Sequence, residues 1–274
     1  GDADQVWVRF NWTGTWGYAW FIDDVKILEQ AANDMVLEYG VISHNGTGDE
    51  YGRVPSSQLN PEMNVGALAL NFGFDEQTDV IMDILVEDEG GATVIDVSSD
   101  PESAVSPDST FAFESDEPIT QLDPGLYTAT FTVTSTEEQD GDQFENNVEV
   151  REFEITTDVY SLDGIGVHET ANFGTMGTNS FTDGEDGFFM MNLYDLNQEE
   201  NAVYGVQILL SELSVAGGTV IAHMLDSSDV YGDNIDDPIV SSDEVLITQE
   251  MIDAGFANIY FDQAEILAPN GYMA

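Results

Sequence analysis

Apolar and polar residues alternate with a period of two along most of this chain, which is the pattern of β-strands with one buried face. In the clearest segment, Tyr127 to Thr134, an apolar residue and a threonine alternate at every step. Short strands separated by turn residues such as Pro118 and Pro124 are typical of antiparallel sandwiches. The sequence therefore predicts an all-β protein of tandem antiparallel β-sandwich domains. Two further segments each place their apolar residues on one face: Leu68, Leu70, Phe72 and Phe74, and Val80, Met82, Ile84 and Val86.

Turn-rich breaks divide the chain into three predicted units. Residues 1–30 hold two strands, too few to fold alone, so they are predicted to close a domain whose earlier strands lie upstream. Residues 34–160 are predicted to form a complete sandwich, and residues 164–274 a third sandwich that is truncated. One short helix at most is expected in the third unit, over Thr248 to Ala254, with Thr248 as N-cap and Gly255 as C-cap.

Charge changes this picture more than any motif does. The chain has 54 acidic residues against four basic ones, a formal net charge of -50. Internal ion pairs cannot neutralise this charge, so bound divalent cations or external salt must screen it. There is no basic stripe to bind nucleic acid, and no apolar run approaches the ~20 residues that membrane insertion needs. With 42% hydrophobic residues we expect packed cores, and the absence of cysteine fits a bacterial exported protein better than a eukaryotic secreted one.

Asp23 is the most informative residue for metal binding. It shares strand parity with Phe21, Val25 and Ile27, so it is predicted to face an apolar side, where a carboxylate needs a partner. Structural calcium and a hydrogen-bonded carboxylate beside Arg9 both satisfy that need. Two acidic loops add candidate calcium ligands, although such loops are more often simply solvated: Asp183, Glu185 and Asp186, and Asp226, Asp229 and Asp233. Calcium is the predicted structural cofactor.

Aromatic residues crowd the first unit. If exposed on a sandwich, Trp7, Trp16 and Tyr18 would stack on sugar rings. The favoured interpretation is that Trp12 and Trp20 lie in the core and that these three residues cover the sheet edge. The chain has no His-Glu-x-x-His, no Gly-x-Ser-x-Gly and no phosphate-binding glycine loop. We therefore expect no catalytic residue and no enzymatic activity.

Three segments resemble known domain types. Val8 to Ile27, an aromatic-rich turn followed by Ile-Asp-Asp-Val, resembles the closing strands of concanavalin-like jelly rolls of MAM type, found in exported proteins of Bacteroidota. That resemblance implies structural calcium at Asp23. Gly125 to Phe131 with the acidic turn ending at Val148 resembles an immunoglobulin-like CARDB adhesion domain, and the third unit is similar to a second jelly-roll sandwich. Asp108-Ser109-Thr110 resembles the O-glycosylation acceptor of that phylum, at Ser109, and the family resemblance implies type IX secretion.

These observations predict a non-catalytic, extracellular structural or adhesive segment of a large bacterial surface protein or fibre, stabilised by calcium or salt. Its expected partners are flanking domains of the same precursor and neighbouring copies in an oligomer or filament. The alternative is a carbohydrate-binding or accessory region of a secreted hydrolase.

Overall fold

The computed structural model describes residues 8–11, 30–43, 50–119, 122–138, 144–163, 165, 189–196 and 200–274. The chain divides into two compact units, Gly1–Gln30 and Ala31–Ala274. The described part of the second unit contains two layered β-structures, here called the first sandwich (residues 35–156) and the C-terminal sandwich (residues 193–273). The predicted strands of residues 1–30 lie almost wholly outside the described residues.

The first sandwich packs a three-stranded sheet against a five-stranded one. Its strands are β1 (Met35–Ser43), β2 (Arg53–Pro55), β3 (Glu62–Asn71), β4 (Ile81–Asp88), β5 (Thr93–Ser98), β6 (Thr110–Pro118), β7 (Gly125–Thr134) and β8 (Val148–Thr156). One sheet has the order β1-β3-β6 and the other β2-β8-β7-β4-β5. All of these pairs are antiparallel except β2 with β8, which is parallel. One core lies between the two sheets.

Alternation along β4 and β7 matches the sequence prediction. The threonines of β7 lie outside the core, and the intervening side chains are buried. Phe131 is one of the largest fully buried side chains. Because period two places every second residue on the same face, the pattern alone was enough to assign these positions.

Strand β3 buries its smaller residues. Ala67 and Ala69 face the core, while Leu68 and Leu70 lie half-buried on the opposite face. On the neighbouring strand, Phe113 pairs with Ala67 and Phe111 pairs with Ala69. The phenylalanine rings next to the alanine methyl groups fill the space between the two sheets at ordinary packing density. Small side chains at positions 67 and 69 are therefore suited to the core.

The C-terminal sandwich is made of shorter strands and two short helices. Its elements are β9 (Leu193–Leu196), β10 (Asn201–Leu209), β11 (Thr219–Val220), β12 (His223–Asp226), α1 (Ser227–Tyr231), β13 (Val240–Ser241), β14 (Val245–Leu246), α2 (Gln249–Ala254), β15 (Phe256–Leu267) and β16 (Asn270–Met273). The sheet β13-β12-β16-β9 shares a core with the two-stranded sheet β10-β15, and β11 pairs with β14. The residues in that core include Leu196, Met224, Ile259, Phe261 and Tyr272.

The predicted helix is confirmed as α2. The Thr248 hydroxyl accepts a hydrogen bond from the Met251 N–H, and Gly255 ends the helix in the left-handed conformation with φ 81°. A second short helix, α1, was not predicted, so the expectation of one helix at most is wrong. The residue that marks the start of α1 is Asp226, whose side chain caps the helix. In so acidic a chain, one capping aspartate cannot be distinguished from the many others.

The described residues confirm the all-β fold class, since strands dominate both sandwiches. No helix in the described part of the chain has the length and hydropathy to cross a bilayer.

Candidate functional site: a tyrosine junction and an apolar sheet face

Three tyrosines from distant parts of the chain meet where the two sandwiches join. Tyr51 precedes β2, Tyr160 follows β8 and Tyr194 lies in β9. The Tyr51 and Tyr160 ring centroids are 4.5 Å apart, and those of Tyr160 and Tyr194 are 5.7 Å apart. Tyr160 packs against both hydrophobic cores. Burial raises the pKa of Tyr194. We call Tyr51, Tyr160 and Tyr194 the tyrosine junction.

Hydrogen bonds hold the tyrosine junction in place. The Tyr160 hydroxyl donates to the Asp195 carbonyl (3.0 Å), and the Asp195 N–H donates to the Tyr51 hydroxyl oxygen (3.2 Å). The chain after β8 is also paired, because Arg53 and Ser161 exchange two backbone hydrogen bonds of 3.1 and 2.9 Å. The described residues of the tyrosine junction thus contact one another both by packing and by hydrogen bonds.

The second feature is the outward side of the β10-β15 sheet. Residues opposite one another here include Leu209 with Phe256, Gln207 with Asn258, and Ala202 with Ile266. The outward apolar side chains are largely solvent-exposed, and Leu209 and Tyr260 each expose 66% of their surface. The name "outer face" denotes these outward residues: Tyr204, Gln207, Leu209, Phe256, Asn258, Tyr260 and Ile266.

A β-bulge shapes the outer face at its tyrosines. The register shifts between Val203 and Gly205, and Gly205 lies opposite Tyr260. A side chain at Gly205 would contact the Ile259 carbonyl oxygen and would lie 2.9 Å from the Tyr260 Cα. Glycine therefore permits the close approach of the two strands, with Tyr204 exposed next to it.

The outward residues of β15 from Phe256 to Tyr260 are uncharged although the chain is strongly acidic, and the next residue on the same parity is the exposed Asp262. No residue of β10 is charged, and none from Phe256 to Phe261 is. At its centre the Gln207 Nε2 donates to the Asn258 Oδ1 (2.8 Å). In the loop after β10, Leu213 and Val215 are more exposed still, beside the exposed Glu212. Contiguous exposed apolar surface of this kind marks an interaction site more often than an accident of folding.

The structure places the acidic residues of one predicted calcium loop around α1. Asp226 caps the helix: its Oδ1 accepts hydrogen bonds from the Ser228 N–H (2.8 Å) and hydroxyl (2.6 Å), and its Oδ2 from the Asn270 Nδ2 (2.6 Å). The Ser228 bonds hold the pKa of Asp226 below its ordinary value. Asp229 lies within α1 and Asp233 follows it. Among the described residues, no three His, Asp or Glu side chains gather so that they could hold a metal ion.

Several predicted site residues lie outside the described residues. They are the calcium candidates Asp23, Asp183, Glu185 and Asp186 and the sugar-binding candidates Trp7, Trp16 and Tyr18. Calcium binding at Asp23 and at both acidic loops stays a prediction.

Ser109, the predicted glycosylation acceptor, lies exposed in the turn before β6. Its N–H donates to the Ser106 carbonyl (3.0 Å), and Asp108 adopts φ 59°, in the left-handed region. The turn leaves the Ser109 residue accessible, and its modification stays a prediction.

Sequence reasoning missed both the tyrosine junction and the outer face. Tyr51, Tyr160 and Tyr194 are too far apart in sequence for any local pattern to connect them. The outer face could have been found in the sequence, because large apolar residues occupy both alternating sets of positions in β15. Ile259 belongs to the inward set and Tyr260 to the outward set. A strand in a two-layer sandwich buries one face only, so one of the two sets had to be exposed.

No protein-family model matches the chain, and none of the curated proteins matches it. Among solved structures it is similar to the C-terminal domain of wzt, at 14% identity and a TM-score of 0.34, over 54% of this chain and 86% of that one. It is also similar to the CARDB domain of PF1109 from Pyrococcus furiosus, in complex with di-metal ions, at 14% identity and a TM-score of 0.32, over 49% and 98%. Similarities at this level assign no ligand and no activity to this chain.

Proposed function

We propose that this chain is a non-catalytic structural or adhesive segment of a large extracellular bacterial surface protein or fibre. The proposal includes export by the type IX route, as in Bacteroidota, and stabilisation by calcium or salt. Neighbouring copies of the same chain contact one another through the outer face. The observation that carries the proposal is this exposed apolar surface, uncharged from Phe256 to Tyr260 and along β10, on a chain of net charge -50.

The size of the outer face suits a protein partner. With Leu213 and Val215 included, its exposed apolar area is roughly 700 Å², estimated from typical side-chain areas, against about 800 Å² buried per partner in a standard interface. Contacts slightly below the standard size are individually weak. They become effective when many copies are held side by side in a fibre.

The pattern of the outer face suits a second copy of the same chain. Apolar pairs lie on both sides of the central Gln207–Asn258 amide pair. A twofold axis through that pair would bring the Leu209 end of one copy onto the Tyr260 end of the other. The four amides would then meet at the centre, where they can hydrogen-bond to each other. At this centre, from Phe256 to Tyr260 and along β10, no carboxylate would oppose the second copy.

Charge and tyrosine-junction packing support the same role. Mutual repulsion between copies weakens as salt rises, because the Debye length falls from about 10 Å at 0.1 M to about 3 Å at 1 M ionic strength. The tyrosine junction makes the two sandwiches suitable as a stiff spacer, since Tyr160 packs on both cores.

Sedimentation velocity of the full chain at 0.05 M and 1 M NaCl tests this proposal. We expect monomers in low salt and reversible association in high salt. Leu209→Asp should abolish association, because it places a carboxylate in the contact. Phe74→Asp is the matched control, an exposed apolar residue of the first sandwich that should leave association unchanged. A chain that stays monomeric in 1 M NaCl, or a Leu209→Asp variant that associates like the wild type, would contradict the proposal.

The second candidate function is carbohydrate binding in a secreted hydrolase. It is favoured by exposed Tyr204 and Tyr260 on one sheet face beside the amides of Gln207 and Asn258. Aromatic rings offer stacking surfaces and amides offer hydrogen bonds, the usual combination in ligand sites. A glycan array separates the two functions: micromolar binding of a neutral glycan that is lost in Tyr260→Ala supports this candidate. Loss in Trp16→Ala would instead place the sugar on residues 1–30.

A further inference from the structure

Four polar side chains close a ring of contacts at one end of the first sandwich. Asn146 Nδ2 donates to Asp34 Oδ1 (3.1 Å), and Asn147 Nδ2 donates to Glu138 Oε2 (2.7 Å). The Met35 N–H donates to Glu138 Oε1 (3.0 Å). Asp34 and Met35 are consecutive, as are Asn146 and Asn147, so these contacts form a closed loop. The four side chains of Asp34, Glu138, Asn146 and Asn147 are called the polar ring.

Three residues of the polar ring are buried and Asn146 is half-buried, and two of the ring's oxygens lack hydrogen-bond partners. Asp34 exposes 4% of its surface, Glu138 6% and Asn147 2%. The Oδ1 atoms of Asn146 and Asn147 are inaccessible to solvent and accept no hydrogen bond. A buried polar atom without a partner destabilises a fold by about 1–3 kcal/mol. Two such atoms lie on consecutive residues, and each belongs to an amide whose nitrogen contacts a buried carboxylate, so a ligand bound here would remove that cost.

We propose that the polar ring binds a divalent cation of the calcium type. Two carboxylates and two amide carbonyl oxygens are the donors that Ca²⁺ takes, and its coordination tolerates irregular geometry. The ring has no imidazole or thiolate, so zinc is disfavoured. A cation would satisfy both orphan oxygens and offset the two buried carboxylates. The hydrogen bonds from the amide nitrogens and from the Met35 N–H would hold those carboxylates in orientation, as outer-shell contacts do at metal sites.

The position of the polar ring gives such a cation a structural effect. Asp34 precedes β1, which belongs to the three-stranded sheet. Glu138 follows β7, and the two asparagines precede β8, both in the five-stranded sheet. A cation here would connect the ends of strands from both sheets, and unfolding would release it. This site is separate from Asp23 and from the acidic loops, and it does not depend on the proposed function.

Thermal unfolding and calorimetric titration with CaCl2 test the polar ring. The full chain is compared in CaCl2 and in chelator, with NaCl holding ionic strength constant. A hundredfold excess of Ca²⁺ over Kd corresponds to about 2.7 kcal/mol of added stability. We expect Asp34→Asn, which removes one ligand charge without changing size, to weaken Ca²⁺ binding at least tenfold. Asp96→Asn is the same change at an exposed carboxylate of β5 and should bind like the wild type.

A second variant separates cation binding from a purely hydrogen-bonded ring. Asn146→Asp adds a third carboxylate, so a cation site should bind Ca²⁺ more tightly while the chelated protein unfolds at a lower temperature. A ring held only by hydrogen bonds would lose the bond to Asp34, and Ca²⁺ would not restore its stability. The proposal is overturned if Asp34→Asn responds to Ca²⁺ as the wild type does, or if Ca²⁺ fails to rescue Asn146→Asp.

Discussion

Tyr160→Ala is expected to uncouple the two sandwiches of this chain. Tyr160 is half-buried, and its ring contacts Tyr51 and Tyr194 while packing on both cores. An aromatic pair contributes about 0.5–1.5 kcal/mol beyond its burial, and truncating a large core ring costs about 3–5 kcal/mol. Because Tyr160 is not fully enclosed, we expect a total loss of about 3 kcal/mol. This loss falls on the contacts that make the sandwiches unfold together.

Two further variants calibrate that magnitude. Tyr160→Phe keeps the ring but removes the hydroxyl that donates to the Asp195 carbonyl, so we expect a loss of about 1 kcal/mol. Tyr39→Ala truncates an exposed tyrosine on β1 and should change stability by less than Tyr160→Phe does.

Differential scanning calorimetry measures the expected uncoupling directly. Wild-type protein should give one transition for the described sandwiches, whereas Tyr160→Ala should give two, at separate temperatures. Urea unfolding followed by fluorescence supplies the free energies. If Tyr160→Ala unfolds in one transition and within about 1 kcal/mol of the wild type, the tyrosine junction does not couple the sandwiches.

Two remaining predictions concern glycine positions and a helix cap. Gly40→Ala should lower the free energy of unfolding in urea by about 1–3 kcal/mol, because its Cβ would lie 2.6 Å from two ring carbons of buried Phe131. Gly125→Ala is the comparison, since a Cβ there would have no atom within 4 Å. This variant should be neutral or stabilising by up to about 1 kcal/mol. Equal losses in both variants would refute the packing argument. Asp226→Ala should cost about 1 kcal/mol at pH 7 through loss of the α1 cap. The Ser228 hydrogen bonds depress the pKa of Asp226 in the folded state, so its carboxylate stabilises the fold above the unfolded pKa of about 4. The difference in free energy of unfolding between variant and wild type should therefore shrink as pH falls below that value. A pH-independent difference would contradict this prediction.

Local patterns predicted the elements whose determinants are local. The α2 helix follows from Thr248 and Gly255, which satisfy the backbone groups at its two ends without help from the rest of the fold. Strand β7 follows from its alternation, because the threonines alternate with the buried Tyr127, Ala129, Phe131 and Val133. For β3, alternation grouped Leu68 with Leu70 but could not say which face was buried.

The candidate sites depend on residues that the sequence keeps far apart. The polar ring joins Asp34 to Asn146, and each amide or carboxylate alone is unremarkable in a chain with 54 acidic residues. The calcium predicted from charge was placed at other positions than the site proposed from the structure, because acidic runs are visible in a sequence whereas orphan amide oxygens are not.

By itself the sequence determined the all-β class, the period of the long strands, one capped helix and a formal net charge of -50. Those properties follow from nearest neighbours and from composition. Only the tertiary structure decided that β3 buries Ala67 and Ala69, since the choice depends on Phe111 and Phe113 in the next strand. It alone exposed Tyr260 and enclosed Ile259, because the side of a strand that meets the core is set by which sheet packs against it.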